Sequence, residues 1–139
     1  MSQTTEFQVV PASIRLDADH GRHGPDHCYV ENVWLPVIGP AAYVVWRHLA
    51  RLASRSPRPA ISLPRLAAVT GLGPPDGRQS PINRALRRLE RFDLIHLDAD
   101  RIVVRVSLPF ITKRQLARLD PAIQALHRRY RDRAAPTAC

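Results

Sequence analysis

Lysine, glutamate and cysteine are scarce in this sequence of 139 residues. Lys113 is the one lysine, and glutamate stands only at Glu6, Glu31 and Glu90. The sequence also lacks an apolar run of about 18 residues, the length that a helix needs to span a bilayer. Its first residues, MSQTTEFQVV, have neither the basic start nor the apolar block of a secretory signal. We therefore predict a soluble, cytoplasmic protein.

The two cysteines, Cys28 and Cys139, are too few for a disulfide framework, and we expect thiols in a reducing compartment. Three catalytic motifs are absent as well: the phosphate-binding glycine loop, His-Glu-x-x-His and Gly-x-Ser-x-Gly. Because glutamate is scarce, no pair of acids stands near a histidine in an ordered element. The sequence therefore predicts neither an enzyme nor a cofactor, and no small-molecule substrate.

Positive charge is what the sequence has in abundance. Twenty-one Lys and Arg face twelve Asp and Glu, which gives a net charge of +9 and a pI of about 11.1. A polyanion is the natural partner of such a chain. The preference for arginine over lysine has a second explanation, since coding by a GC-rich genome also produces it.

The amino-terminal part has the pattern of a strand followed by an irregular loop. Phe7 to Leu16 mixes β-branched residues with a proline, which predicts an edge strand or an extended arm. The loop from Asp17 to Cys28 holds side chains of the types that bind zinc: Asp19, His20, His23, Asp26, His27 and Cys28. Their spacing matches no structural zinc pattern, so we predict a polar surface loop and no metal site.

Three helices are predicted in the middle of the chain. The first begins at Gly39-Pro40, and its apolar spacing leaves three arginines toward water: Arg47, Arg51 and Arg55. Ser62 caps a short second helix that Gly71 ends. The third begins at Ser80-Pro81 and runs to about Phe92.

A hairpin and two tail helices follow the third helix. DLIHLD and RIVVRV flank the turn Ala99-Asp100, with Ile102, Val104 and Val106 facing inward. The tail helices are predicted over Thr112 to Leu119 and over Ala122 to about Arg133. The last carries an apolar stripe of Ile123, Leu126 and Tyr130. That stripe leaves open a homodimer through this helix or a monomer in which it folds back onto the first helix.

The order of helix, short helix, helix and hairpin resembles the winged helix-turn-helix domain. The residues that carry the resemblance are ISLPRLAAVTGL and INRALRRLERFDLI, of which INRALRRLERFDLI resembles a recognition helix that runs into its wing, here the hairpin. FQVVPASI followed by LPVIGPAAYVVWRHLARLA is similar to the winged helices of plasmid and phage replication proteins and of DnaD-type primosomal proteins. The resemblance implies an α+β, mainly α fold: a three-helix core and a wing, with an amino-terminal extended arm and a carboxy-terminal helix. We divide the chain into 1–32 (arm and histidine loop), 33–110 (winged helix) and 111–139 (helical extension).

The third helix separates an apolar face from an arginine face. Ile82, Ala85, Leu86, Leu89 and Phe92 cluster on one side, and Arg84, Arg87, Arg88 and Arg91 on the other. The resemblance implies that this helix enters the major groove of DNA. The predicted base-reading residues are then Asn83, Arg84, Arg87 and Arg88, and the predicted phosphate contacts are Arg91, Arg78 and Ser80. The alternative is that the arginines form the ordinary solvent-exposed face of a surface helix.

Arg101 and Arg105 on the hairpin are further predicted phosphate contacts, while Asp98 and Asp100 argue against insertion of its tip into DNA. We predict sequence-specific binding of double-stranded DNA in the nucleoid, by a transcriptional regulator or by a replication accessory or initiator factor. The alternative function is a winged-helix module that binds a partner protein without reading DNA.

Overall fold

A four-stranded sheet packed against helices forms the fold in the computed structural model, which describes residues 6–12, 23–55 and 59–132. The strands are β1 (Glu6–Pro11), β2 (Ala60–Ser62), β3 (Ile95–Leu97) and β4 (Arg101–Val104). The helices are α1 (Leu35–Ile38), α2 (Pro40–Arg55), α3 (Leu63–Thr70), α4 (Pro81–Arg91), α5 (Lys113–Ala117) and α6 (Pro121–Asp132). The fold is mixed α+β and mainly helical, as the sequence predicts.

The three central helices begin and end at the residues that carry the cap signals. Ser62 Oγ accepts a hydrogen bond from the Arg65 N–H at 3.2 Å and so caps α3. Gly71 ends α3 in the left-handed conformation, with φ of 76°. Ser80 caps α4 in the same way as Ser62 caps α3. These three helix predictions are confirmed.

The amino-terminal strand β1 lies inside the sheet, whose strand order is β2-β1-β4-β3. It pairs antiparallel with β2 and parallel with β4. The Gln8 and Ala12 N–H groups point toward β4, whereas the Val9 N–H donates to Pro59 on the opposite side. Pro11 is two residues after Val9, so its backbone nitrogen lies on the same side of β1 as that of Val9, away from β4. It also lies beyond the last β1–β2 pair, so the missing N–H of Pro11 removes no hydrogen bond to β4. The prediction of an edge strand or extended arm is therefore wrong.

A helical stretch that the sequence analysis did not assign precedes α2. A π-helical turn over Val30–Trp34 runs directly into α1, and the Trp34 Nε1–H donates to the Pro109 carbonyl at 2.8 Å. The predicted boundary between residues 32 and 33 falls inside this stretch. Cys28, at its start, is buried.

The core forms around α2, which packs against α4, α1 and the inner face of the sheet. Trp46 is fully buried, and its Nε1–H donates to the Arg105 carbonyl at 2.8 Å. The predicted hairpin is present as β3 and β4, with Ile102 and Val104 buried as expected.

The last helix, α6, folds back within the chain, against the Val30–Trp34 turn rather than against α2. Tyr130 Oη accepts a hydrogen bond from the Asn32 amide at 3.1 Å, and Ile123 packs on the core. The expected intrachain contact of this helix with the first predicted helix is thus replaced by a contact with the Val30–Trp34 turn. Within the described part of the chain, no helix is long and apolar enough to cross a bilayer.

Candidate nucleic-acid interface

The helix α4 buries one face and exposes four arginines on the other. Its buried residues are Ile82, Ala85, Leu86 and Leu89, and its exposed cations are Arg84, Arg87, Arg88 and Arg91. The i, i+3, i+4, i+7 spacing produces this division because a helix advances by about 100° per residue. The predicted phase of the helix is confirmed.

No carboxylate neutralises the α4 arginines at contact distance among the described residues. Glu90 is the one acid in the helix, and its Oε2 accepts a hydrogen bond from the Leu97 N–H at 3.3 Å. That bond directs the carboxylate toward β3. In the part of the chain that the structure describes, the four positive charges therefore have no carboxylate within ion-pair distance.

Arg88 differs from the other three because it contacts the end of α1. Its Nε–H donates to the Ile38 carbonyl at 2.6 Å, and Nη2 lies 3.4 Å from the Val37 carbonyl. Its guanidinium also stands 5.5 Å from the centre of the Phe92 ring. Carbonyls at a helix end have no partner within the helix, so Arg88 stabilises the α1–α2 turn.

The amino-terminal end of α4 holds the preceding loop. The Asn83 amide donates to the Gly77 carbonyl at 2.8 Å and to Ser80 Oγ at 2.9 Å. Arg87 Nη2 donates to the Arg78 carbonyl at 2.6 Å, and the Arg78 side chain is exposed. Ser80 is only 7% exposed, so its hydroxyl serves the cap rather than the surface.

A groove of about 540 Å³ separates α4 from the start of α2. One wall is the backbone of Gly39, Pro40 and Ala41, and the other carries all four α4 arginines. The amino-terminal end of α2 adds the positive end of its helix dipole to this wall. The groove is thus positive on both sides.

The hairpin arginines lie apart from that groove. Arg101 is exposed and stands 3.9 Å from the Asp98 carboxylate, a pair between two half-exposed side chains. Arg105 is partly buried, and its backbone N–H and carbonyl bond to Leu94 and Trp46. Neither residue lines the α4 groove, so the structure does not join them with the other predicted site residues.

A second arginine stripe, on α2, meets a carboxylate. Asp26 forms ion pairs with Arg51, with Arg47 at 3.5 Å and with Arg55 at 4.0 Å. The hydrogen bond from Arg51 is the main cause that lowers the pKa of the Asp26 carboxyl. The expectation that these arginines simply point to water misses this pairing, because Asp26 is distant in sequence.

The histidine loop is not a polar surface loop where the structure describes it. His23 is 5% exposed, its Nδ1 lies 2.9 Å from the Leu108 carbonyl, and its ring packs against Tyr29 and His27. Asp19 and His20 lie outside the described residues. Within the described ranges, no group of three or more potential metal ligands occurs.

The residues of this loop belong to an aromatic cluster formed by His23, His27, Tyr29, Phe110, His127 and Tyr130. The Tyr29 hydroxyl accepts from the Ile111 N–H at 2.9 Å and lies 2.9 Å from His127 Nδ1. Burial raises the pKa of Tyr29 to about 12 and lowers the pKa of His127. The spacing of Ile123, His127 and Tyr130 on α6 was a signal for His127 that the sequence analysis did not use.

No known protein-family model matches the sequence, and no curated protein sequence matches it significantly. Among solved structures, the chain is similar in fold to residues 1–300 of the primosome protein DnaB from Geobacillus stearothermophilus. The TM-score is 0.51 and the sequence identity 18%, over 93% of this chain and 47% of the other. The chain thus spans about half the length of that protein's structure. At this identity the similarity concerns the fold alone.

Proposed function

We propose that the chain binds double-stranded DNA, without catalysis, through the exposed arginines of α4, and that α2, α3, α4 and the hairpin act as a winged helix. The observation that carries the proposal is the stripe of Arg84, Arg87 and Arg91, which is exposed and has no carboxylate partner among the described residues. An α-helix fits the major groove of B-DNA, which is about 12 Å wide.

Three of the four arginines are candidates for contacts with DNA, and one of them, Arg87, also donates to the Arg78 carbonyl through Nη2. Arg84 and Arg87 lie in the amino-terminal half of α4, the half nearest the base edges in a winged helix. Arginine can donate two hydrogen bonds to guanine O6 and N7, which distinguishes bases by roughly 1–3 kcal/mol per pair. Arg91, one turn further along, is suited to a phosphate.

Three further predicted site residues hold parts of the backbone in place. Arg88 fixes α4 to the α1–α2 turn, and Asn83 and Ser80 hold the loop that precedes the helix. Of the DNA contacts that the sequence predicts on and near α4, we therefore keep Arg84, Arg87 and Arg91, and Arg78 at the edge of this surface. Contacts of Arg101 and Arg105 with phosphates stay a prediction.

We further propose a role in DNA replication rather than in transcription. The fold similarity to a protein named as a primosome component supports this choice, as does the resemblance in sequence to primosomal winged helices. A transcriptional regulator would use the same groove contacts. Sequence preference is tested by selecting bound duplexes from a random pool, in which enrichment of one motif is expected.

The main experiment compares two triple variants that lose the same charge. Arg84→Ser/Arg87→Ser/Arg91→Ser removes the α4 stripe. Arg114→Ser/Arg118→Ser/Arg129→Ser removes three exposed arginines, one in α5, one directly after α5 and one in α6. Affinity for a labelled duplex is measured by fluorescence anisotropy between 50 and 200 mM salt. Because only Arg91 is assigned to a phosphate, the slope of log K against log salt should fall in magnitude by about 0.9 in the α4 variant, and loss of the two base-contacting arginines should lower the affinity at every salt concentration.

The control variant decides between a site and a general effect of charge. Equal losses of affinity in both triples would show that net charge alone drives binding. An unchanged affinity and slope in the α4 variant would contradict the DNA-binding proposal and favour the alternative function, a protein-interaction module.

A further inference from the structure

A pocket of about 450 Å³ opens between α5 and α6, and it shares no residue with the α4 groove. Ile111, Thr112, Lys113 and Leu116 line it from the α5 side. His127, Arg128, Arg131 and Asp132 line it from α6. Its volume lies within the range of roughly 300–1,000 Å³ that is usual for ligand sites.

The inner wall of the pocket contains a histidine whose ring is fixed from behind. His127 is only 7% exposed, and its Nδ1 lies 2.9 Å from the Tyr29 hydroxyl. That hydroxyl also accepts a hydrogen bond from the Ile111 N–H, and with a second lone pair and a single proton it can either accept from Nδ1 or donate to it. The contact fixes the imidazole ring in the wall of the pocket.

The charges around this histidine are mostly positive. Lys113, Arg128 and Arg131 line the pocket, against one acid, Asp132. Arg128 and Arg131 are close enough to His127 to lower its pKa, after the larger effect of burial. The Arg131 guanidinium lies over the Phe110 ring at 4.9 Å, which restricts its position.

The pocket also has an apolar part. Ile111 is buried and Leu116 is half-buried in its wall. A DNA backbone carries the negative charge that this site selects but has no apolar group for Ile111 and Leu116.

We propose that the α5–α6 pocket binds an acidic segment of a partner protein, with one large apolar side chain beside a carboxylate. The carboxylate accepts hydrogen bonds from Arg128 or Arg131, beside the His127 ring, and the apolar side chain rests on Ile111 and Leu116. Bonds between ionised groups and carboxylates are the strong ones in such sites, and the apolar contact adds affinity by excluding water.

The test is selection of binders from a displayed library of random hexapeptides on the full chain. Peptides that contain both an acid and a large apolar residue are expected. Their affinity should fall at least about tenfold in Arg128→Ser/Arg131→Ser. It should stay within about twofold of the wild type in Arg118→Ser/Arg129→Ser, which removes two exposed arginines of the same region outside the pocket.

A second variant and a DNA measurement complete the design. If the double variant folds poorly, Lys113→Ser, at an exposed position, provides the second test. It should also weaken binding of the selected peptides. The proposal is wrong if no such motif is enriched, or if the selected peptides bind the pocket variants and the control variant equally. A pocket variant that loses duplex affinity, in a chain that selects no peptide, would make this surface a nucleic-acid contact instead.

Discussion

The arginine stripes of α2 and α4 have the same local pattern and different surroundings. Arg47, Arg51 and Arg55 follow one another at intervals of four on α2, and Asp26 pairs with all three. Arg84, Arg87 and Arg91 follow a similar spacing on α4 and meet no carboxylate among the described residues. The difference shows that tertiary contacts, and not local spacing, decide whether a stripe of cations is left without carboxylate partners.

The residue that pairs with α2 arrives from another segment. Asp26 precedes the helical stretch that the aromatic cluster joins to α6 through Tyr29 and His127. Docking of that segment therefore determines how much of the α2 charge is available. The α4 stripe has no such segment over it in the described ranges.

The largest expected effect separates the two faces of α4. Leu89 is fully buried, and Leu89→Ala should lower the free energy of unfolding by roughly 2–5 kcal/mol through lost packing and a cavity. Arg84→Ala, on the exposed face, should change it by less than about 0.5 kcal/mol. Urea unfolding of both variants measures the contrast. A destabilised Arg84→Ala protein would show that the α4 stripe also has a structural role.

Acidification should weaken the contact that holds the α2 pairing in place. Burial lowers the pKa of His127, so the unfolded chain takes up a proton first as the pH falls below 6.5. Stability contributed by this group is complete above that pH and is lost as the pH falls toward the folded-state pKa. The slope is at most about 1.4 kcal/mol per pH unit for one proton.

His127→Gln measures that contribution, because glutamine can bond to Tyr29 but does not titrate. Unfolding free energies between pH 7.5 and 5.5 should depend less on pH in this variant than in the wild type. His48→Gln provides a comparison, since burial also lowers the pKa of His48. Identical pH dependence in His127→Gln and the wild type would show that His127 does not contribute to the pH dependence of stability.

Arg88 should behave unlike the rest of its stripe. Arg88→Ala removes the bond to the Ile38 carbonyl, and because the side chain is exposed we expect a loss of about 1 kcal/mol in stability. Arg91→Ala, which removes an exposed arginine without that contact, is the matched control. Thermal unfolding should give a clearly lower midpoint for Arg88→Ala than for Arg91→Ala. Equal midpoints would show that Arg88 does not stabilise the α1–α2 turn and would make it a further candidate for contact with DNA.

The smallest effect concerns the paired stripe. Asp26→Asn removes the carboxylate, and because the pair is exposed it should cost only about 0.2–1 kcal/mol near neutral pH. The lowered pKa of Asp26 means that this difference is present above pH 3.8 and disappears in acid, once the carboxylate is protonated. Duplex affinity should rise by less than about threefold. A larger rise would make α2 a second DNA-binding surface.

Much of the fold follows from local signals. The starts of α2, α3 and α4 coincide with Pro40, Ser62 and Ser80 because capping and the fixed proline φ depend on neighbouring residues alone. The location of β1 could not be predicted in this way. Its pairing depends on β2 and β4, which are far away in sequence, and the proline in it favours an edge.

The candidate site, like the fold, could be predicted only where local signals decide the structure. The phase of α4 follows from helical periodicity, so its exposed arginines could be named from the sequence. The use of Asn83 for the loop and of Arg88 for the α1–α2 turn could not, since both contacts are with backbone carbonyls that carry no residue-specific signal. The aromatic cluster was missed because its members come from three separate segments.

The parallel pairing of β1 with β4 also orders events during synthesis of the chain. Val9 pairs with Ile102, about 90 positions later, so at 5–20 residues per second β1 waits roughly 5–20 s for its partner to be made. Helices α2, α3 and α4 emerge during that interval and need only local contacts to begin. The residues of α4 are thus synthesised before β4, the strand with which β1 closes the sheet.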